Sequence, residues 1–386
     1  MKIQEICSSV TDGSHNPPQG VTESEYLMLS SKNIFDDNIT FVDPRYLCKE
    51  DFDMEDRRTC IQAGDVLLTI VGTVGRCAVV PERAPKFTLQ RSVAVLHPRV
   101  DICNSRFLMY ALQGKRSYIE GRAKGVAQKG IYLGEVANIE VPVPEKSIQA
   151  TIITHLDKIA SIIHKRQQQL SALDDLIKAR FVEMFGTYPS NEKGWPTGTI
   201  RDLVTEVRYG SSRKAAEGNS GKYPYLRMNN ITYSGELDLS DTKTIDIPDE
   251  ELDKCTVRRG DLLFNRTNSK ELVGKTCVYN RDELMVLAGF VVRVRLNEKA
   301  LPEFVSAFMN TTFSKQMLLG MCKAAIGQAN INAQELQNIG IYIPPIELQR
   351  VFVSFKEQID KSKSVIQKSL DEMQLLFDSL MQEYFG

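Results

Sequence analysis

Histidine is the first place to look for catalysis, and the chain has only His15, His97, His155 and His164. None sits in an H-E-x-x-H pair or beside cysteines at metal-ligand spacing. His155 and His164 fall on a long helical stretch, where a solvated or seam-edge role is expected. The G-x-x-x-x-G-K-[ST] phosphate loop and the G-x-S-x-G nucleophile turn are both missing. Hydrolase and nucleotide-triphosphatase chemistry therefore lack their usual anchors. What does concentrate is positive charge among hydrogen-bonding side chains. Between Lys254 and Arg281 seven Lys or Arg face two acids, and between Arg106 and Lys129 six face one. A third cluster, Arg208, Arg213, Lys214, Lys222 and Arg227, is interleaved with Tyr209, Ser211, Ser212, Tyr223 and Tyr225. Lys and Arg neutralise phosphates, while Asn, Gln and Arg read base edges. The segment Asn265-Arg266-Thr267-Asn268-Ser269-Lys270 is dense in such donors and follows an apolar strand, so a loop presenting them outward is expected. Charge alone leaves DNA binding and a protein-interaction scaffold both open.

Two near-motifs need weighing. Asn16-Pro17-Pro18-Gln19 resembles the Asn-Pro-Pro-aromatic motif with which DNA amino-methyltransferases hold a flipped base. Gln19 stands where the aromatic should stack, and no Gly-rich strand-to-helix turn for a methyl donor accompanies it, so a loop is expected. Pro248-Asp249, followed by Glu250, Glu251 and Lys254, resembles a nuclease carboxylate-lysine motif. Leu252-Asp253 precedes the lysine and breaks the Asp/Glu-x-Lys spacing. A surface turn is the expectation there. Neither makes an active site.

The elements that position these residues are given by an internal repeat. Asn138-Ile139-Glu140-Val141-Pro142-Val143-Pro144 returns as Asn338-Ile339-Gly340-Ile341-Tyr342-Ile343-Pro344, and the same offset relates Gln149 to Gln349 and Phe185-Gly186 to Phe385-Gly386. Upstream, Gly13-Ser14 answers Gly210-Ser211, Asn33-Ile34 answers Asn230-Ile231, and Gly64-Asp65-Val66-Leu67 answers Gly260-Asp261-Leu262-Leu263. Each repeat begins with short apolar, β-branched runs broken by Gly, Pro, Asn and Asp, which predict strands, with helix over 105–121 and 302–319. Each ends in a long stretch free of Gly and Pro whose apolar residues follow a 4-3 spacing. Ile152, Leu156, Ile159, Ile163, Leu170, Leu173 and Ile177 form one seam; Phe352, Ile359, Ile366, Leu370, Met373 and Phe377 form the other. Spacing near 3.5 predicts a coiled coil, antiparallel if the duplicated halves are related by a two-fold axis. Arg166, Lys356 and Lys363 interrupt the seams, and Arg166 and Lys363 either fix register or are solvated edges.

The reading is an α+β chain of two β-rich domains in tandem, 1–146 and 197–346, separated by long helices 147–186 and 347–386, with a linker at 187–196. The 42% hydrophobic and 25% charged composition is that of an ordinary globular protein, and a net charge of −1 argues against a generic polyanion binder. No apolar run reaches membrane-span length, no signal-peptide core opens the chain, and eight cysteines include no C-x-x-C pair. A cytoplasmic protein with reduced thiols and no membrane partner is expected.

Two β-rich domains, each followed by a long helix after an N-I-x-[VI]-x-[VI]-P segment, resemble the specificity subunit of type I restriction-modification systems. The likeness rests on Asn138 to Pro144 with Gln149, Asn338 to Pro345 with Gln349, both Gly-Asp-apolar segments, and the early Gly13 and Gly210. The first copy departs in its extra Pro142 and in Glu145 where the second has Pro345. The resemblance implies a non-catalytic subunit whose β-rich domains are target-recognition domains, each reading half of a split, asymmetric target on double-stranded DNA. Its helices would set the gap and dock two adenine-N6 methyltransferase subunits, with translocase-nuclease restriction subunits joining for phage defence. S-adenosylmethionine, ATP and Mg²⁺ would belong to those partners. The DNA contacts it suggests are Ser14, His15, Arg76, Arg91, Lys124, Gln128 and Lys129 in the first domain. In the second they are Ser211, Arg213, Arg227, Asn229, Asn265, Arg266, Asn268, Lys270, Lys275 and Gln328. The rival reading is a non-catalytic protein-protein interaction scaffold.

Overall fold

A computed structural model describes residues 1–125, 129–322 and 329–386. The chain divides into two compact units, residues 1–166 with 369–386, and residues 167–368. Each unit therefore draws on both repeats, and the divisions fall within the long helices.

The first unit is built on an antiparallel sheet in which Val93–Pro98 lies between Cys7–Asp12 and Val66–Thr69, with Cys77–Val79 at the edge. A second sheet pairs Tyr26–Leu29 antiparallel with Arg45–Leu47 and parallel with Phe87–Leu89. The second unit repeats the plan. Val291–Leu296 lies between Val204–Tyr209 and Leu262–Asn265, with Thr276–Val278 outside, and Tyr223–Leu226 runs parallel to Met285–Leu287. Central strands such as Val66–Thr69 and Leu262–Asn265 are buried on both faces, which is why they read as unbroken apolar runs.

The residues shared by the two copies are those the backbone demands. Gly64 and Gly260 both sit at φ 89°, a left-handed conformation that disfavours side chains. A Cβ at Gly13 would lie 2.0 Å from the Leu89 carbonyl oxygen, and one at Gly210 2.3 Å from that of Ala288. Asn33 and Asn230 are buried and hold the loop that follows each: Asn33 donates to the Val42 carbonyl, Asn230 to that of Asp238. Asp65 and Asp261 each close the turn before their strand, accepting from the backbone N–H of Gln62 and Arg258 respectively. Their second oxygens meet different partners, His97 at 2.8 Å and Arg295 at 2.8 Å.

The long helices are single elements of 40 residues, Lys146–Phe185 and Ile346–Phe385. In the first unit the start of the former packs on the end of the latter, and in the second unit the ends are exchanged, so the pairing is antiparallel. Every expected seam residue is buried or partly buried, from Leu156 and Phe352 at 0% exposure to the half-buried Leu170, Leu173 and Ile366. Aromatic rings close both cores. Phe385 meets Phe107 at 5.4 Å, while Phe181 and Phe185 surround Phe304 and Phe352 at 5.0–5.7 Å. The helix tail of each repeat thus completes a core made largely by the other.

A buried amide ties each long helix to its sheet domain. Gln149 is 1% exposed; it accepts from the Asn104 N–H and donates to the carbonyls of Ile102 and Pro144. Gln349, at 0%, accepts from the Leu301 N–H and donates to the carbonyls of Lys299 and Pro344. Three sequence expectations are corrected. The helices over 105–121 and 302–319 are each broken, into Ser105–Gly114 and Arg116–Arg122, and into Pro302–Met309 and Thr312–Met321. Asp249–Cys255 is a short helix, with Asp249, Glu250 and Glu251 favourably placed in its first turn, rather than a surface turn. Residues 49–59 form a helix that the sequence pattern did not suggest. Asn16 to Gln19 is a loop as expected, its Pro18 carbonyl pinned by Arg45 at 2.8 Å. No helix among the described residues is long and apolar enough to cross a membrane.

Two expected outcomes follow from these contacts. Gln149→Met would strand one N–H and two carbonyls, and should destabilise the chain by about 2–4 kcal/mol; a loss under about 1 kcal/mol in denaturant unfolding would remove the amide's structural role. His97 has an acceptor at each ring nitrogen, Asp65 on Nδ1 and the Thr59 carbonyl on Nε2 at 3.0 Å, which suits the doubly protonated ring. The Asp65 hydrogen bond raises its pKa against the opposing effect of burial. A raised folded-state pKa means stability that is complete below about pH 6.5 and lost as pH climbs through the folded value. Amide exchange in Val93–Pro98, corrected for its intrinsic rate, should accelerate above that pH, while Val291–Leu296, backed by the permanently charged Arg295, should not. His97→Gln should flatten the first profile.

Candidate nucleic-acid interface

At the open end of the first unit, Gly13-Ser14 leaves one strand and crosses to the turn between two others. The Ser14 N–H donates to the Leu89 carbonyl at 2.7 Å, and the Arg91 N–H donates to the Ser14 carbonyl at 2.9 Å. Around this crossing lies a cleft of about 430 Å³ lined by Ser14, His15, Ser31, Gly72, Gln90 and Arg91 among others. The Gly72 N–H donates to the Lys129 carbonyl, and Lys124 exchanges backbone hydrogen bonds with Gly130. Exposed Lys124 and Lys129 therefore reach the same region as exposed His15 and Arg91. His15 is oriented by Asp12, 2.8 Å from its Nε2, and Arg58 bonds the other Asp12 oxygen. Arg76 does not line the cleft; its guanidinium lies 5.2 Å over the ring of Phe35.

The second unit makes the same crossing. The Ser211 N–H donates to the Leu287 carbonyl at 2.7 Å, and the Gly289 N–H donates back to the Ser211 carbonyl at 2.7 Å. Beside it the Arg266 N–H bonds the Phe290 carbonyl at 3.0 Å, and its guanidinium stands 5.0 Å over Tyr209. Thr267–Asn268 pairs with Ala329–Asn330, with Thr267 Oγ1 donating to Asn330 Oδ1 at 2.9 Å. Phe290, 51% exposed, and Tyr209, 45%, give this rim two accessible aromatic faces.

The segment expected to present every donor outward does so only in part. Asn265 is fully buried, its Oδ1 accepting from the Thr267 N–H, and Lys275 is 6% exposed with Nζ donating to the Met228 carbonyl. Burial pushes the Lys275 amine below its ordinary range. Arg266 and Asn268 are half-buried, and Lys270 and Asn229 are exposed. Arg213 forms a two-armed pair with Glu251, whose carboxyl it holds below the usual range, and Arg227 pairs with Asp241 at 2.9 Å. Ser14 and Ser211 are largely buried, so their backbone rather than their hydroxyl shapes the crossing. Gln128 and Gln328 lie outside the described residues. Sequence reasoning missed Arg58, Ser31, Phe290 and Asn330. Phe290 carried no signal, since a lone aromatic before an apolar strand reads as core.

Among the described residues no group of three or more His, Cys, Asp or Glu is arranged to hold a metal ion. The family described as the type I restriction modification DNA specificity domain matches residues 30–172 and again 192–374. The chain belongs to that family. Among its relatives, the type I restriction enzyme EcoKI specificity subunit of Escherichia coli strain K12 is 22% identical over 259 residues, covering 63% of this chain and 55% of that protein. The chain thus spans little more than half the length of that relative. The MjaVIII specificity subunit of Methanocaldococcus jannaschii is 21% identical over 309 residues, 75% of this chain and 71% of its own. The solved S subunit of the type I restriction-modification system from M. genitalium aligns over 100% of this chain and 95% of its own, with TM-score 0.55 and 14% identity. A second type I structure, solved in a study of complex assembly and conformational transition, gives 0.56 at 16% identity, covering 100% of this chain and 96% of its own. These likenesses are of fold, and the family's tandem plan is the one the repeats build here.

Proposed function

We propose that this chain is the DNA-reading subunit of a type I restriction-modification assembly. Each unit's sheet domain reads one half of a split, asymmetric target on double-stranded DNA. The paired helices hold the two readers apart and dock two adenine-N6 methyltransferase subunits, and restriction subunits with translocase-nuclease activity join that complex. On this reading the chain itself is not an enzyme, and S-adenosylmethionine, ATP and Mg²⁺ act in the partners. The observation that carries the reading is the duplicated crossing. Ser14 with Arg91 and Ser211 with Gly289 use the same backbone exchange to frame two rims of unlike side chains. A shared frame with different donors suits two readers of different sequence, since positioning comes from the frame and discrimination from base-edge donors. Cations at both rims supply the phosphate attraction that such reading needs.

Methylation mapping of cells with and without the gene, the methyltransferase being expressed in both, tests it. The expected result is a gene-dependent methyladenine motif in two parts with a fixed gap; no such motif would favour the protein-interaction scaffold. Within that motif Arg266→Ala should weaken binding to the cognate site by about 1–3 kcal/mol. Competition titration separates the roles, because an equal loss on unrelated DNA would reassign Arg266 to a phosphate.

A further inference from the structure

The same hairpin is fastened to the coiled coil in both units, by different residues. In the first unit it comprises Ile34–Phe35 and Asn38–Ile39 with Asp36 and Asp37 at its turn. Both Asp37 oxygens accept from Arg106, at 2.7 Å each, and the Arg106 Nε donates to Asp157 of the first long helix at 2.5 Å. Tyr110 donates its hydroxyl to the same Asp157 oxygen at 2.6 Å, and Arg116 bonds Asp36. In the second unit Ile231 bridges Leu237, and the turn between them carries Glu236. Glu236 pairs with Lys363, which occupies a seam position of the second long helix and also donates to Asp174 of the first at 2.6 Å. The Lys363 side chain is 12% exposed, far less than either carboxylate.

These contacts are second attachment points. The primary junctions are the buried amides of Gln149 and Gln349, at the entry to each helix. Asp157 lies eight residues beyond Gln149, and Lys363 fourteen beyond Gln349. At the helical rise, those separations are about 12 Å and 21 Å along the axis. Packing of Leu156 and Phe352 into the cores already holds each domain near its helix entry. A charged contact beside that packing, at Asp157, or about three turns beyond it, at Lys363, adds resistance to tilting on the rod. Neither latch is needed to close a core, because the aromatic cluster does that in each unit. Both are bridges from a hairpin carboxylate through a cation to a carboxylate on the coil, but the cation sits on the sheet domain in one, Arg106, and on the coil in the other, Lys363. The hairpin turn is fastened in both copies although the residues and the depth along the rod differ, which points to a requirement on the position of the hairpin.

We propose that the Asp37–Arg106–Asp157 and Glu236–Lys363–Asp174 latches fix the tilt of each reading domain on its helix and so set the gap between half-sites that the chain accepts. The inference rests on the DNA-reading function above, but the latch itself can be read without DNA. Hydrogen exchange on the full-length protein should show the Gly235, Glu236 and Asp238 amides exchanging about three- to tenfold faster in Glu236→Gln, in line with losing one charge-assisted contact. Lys363→Arg should keep the wild-type rates. Asp174→Asn, which leaves the hairpin arm in place, should release the hairpin less than Glu236→Gln. In the assembled methyltransferase complex, Glu236→Gln and Asp37→Asn should methylate sites whose gap is one base pair longer or shorter, lowering gap discrimination by about tenfold. Unchanged hairpin exchange in Glu236→Gln overturns the latch. Faster exchange with unaltered gap discrimination overturns its role in specificity. A wild-type complex that methylates no gapped motif counts against the DNA-reading function, and the exchange measurement then decides the latch alone.

Discussion

One fully buried amide per unit decides where the helix begins and what it is attached to. Gln149 and Gln349 each make three hydrogen bonds, to the segment just before a helix of the sheet domain, Ser105–Gly114 or Pro302–Met309, and to the carbonyl of the proline shortly before the long helix, Pro144 or Pro344. Only an amide serves at that point, because the surroundings offer one N–H and two carbonyls. A carboxylate lacks the donors, an ammonium lacks the acceptor, and an apolar side chain leaves all three groups without partners in a place water does not reach. Once this junction is set, the direction of the helix is set with it. The seam residues then determine which face pairs, and the aromatic tails, Phe385 in one unit and Phe181 with Phe185 in the other, close the cores.

The duplication separates what the backbone requires from what the surface is free to change. Gly13 and Gly210 cannot carry a Cβ, Asn33 and Asn230 satisfy buried carbonyls, and Asp65 and Asp261 cap the same turn. Beyond the cap the copies diverge. Where the first unit puts Val95 and His97 on its central strand, the second has Arg293 and Arg295, bound to Glu206 and Asp261, with Arg293 and Asp261 buried and the other two half-buried. An aspartate needed for a turn thus meets whichever basic side chain its neighbouring strand supplies, a histidine in the first copy and an arginine in the second.

Much of the architecture was legible because it is periodic. The 4-3 spacing marked both long helices to within a residue or two of their ends, and the offset of the repeat marked the paired glycines, asparagines and glutamines. The broken helices were not legible. Ser105–Gly114 stops because Lys115 leaves helical geometry just where Phe385 from the distant second helix packs against Gly114. No local pattern contains that contact. The candidate interface was legible as a composition and not as a surface. The clusters name the cations, yet strand pleat and hydrogen bonding decide which of them face water. Asn265, at the end of a strand buried on both faces, turns inward, whereas Arg266 one residue later emerges against Tyr209. Lys275 disappears for the same reason, its amine drawn to the Met228 carbonyl.

The two rims differ in kind as well as in sequence, and the difference bears on the proposed reading. The first rim joins an imidazole held by Asp12, the exposed Arg91 and two lysines on a ribbon brought alongside through Gly72 and Gly130. The second joins an arginine stacked on Tyr209, an exposed Phe290, and a threonine–asparagine pair. Lysines attract phosphate without regard to sequence, while a braced guanidinium offers a fixed fork to a guanine edge and an accessible aromatic offers a face to a thymine methyl. A rim of the second kind discriminates more per contact, because bracing on Tyr209 leaves Arg266 fewer conformations to lose on binding. If both heads sit on one duplex, the second should carry more of the sequence information and the first more of the general affinity. An asymmetric target is then the natural consequence of one backbone frame carrying two unlike rims.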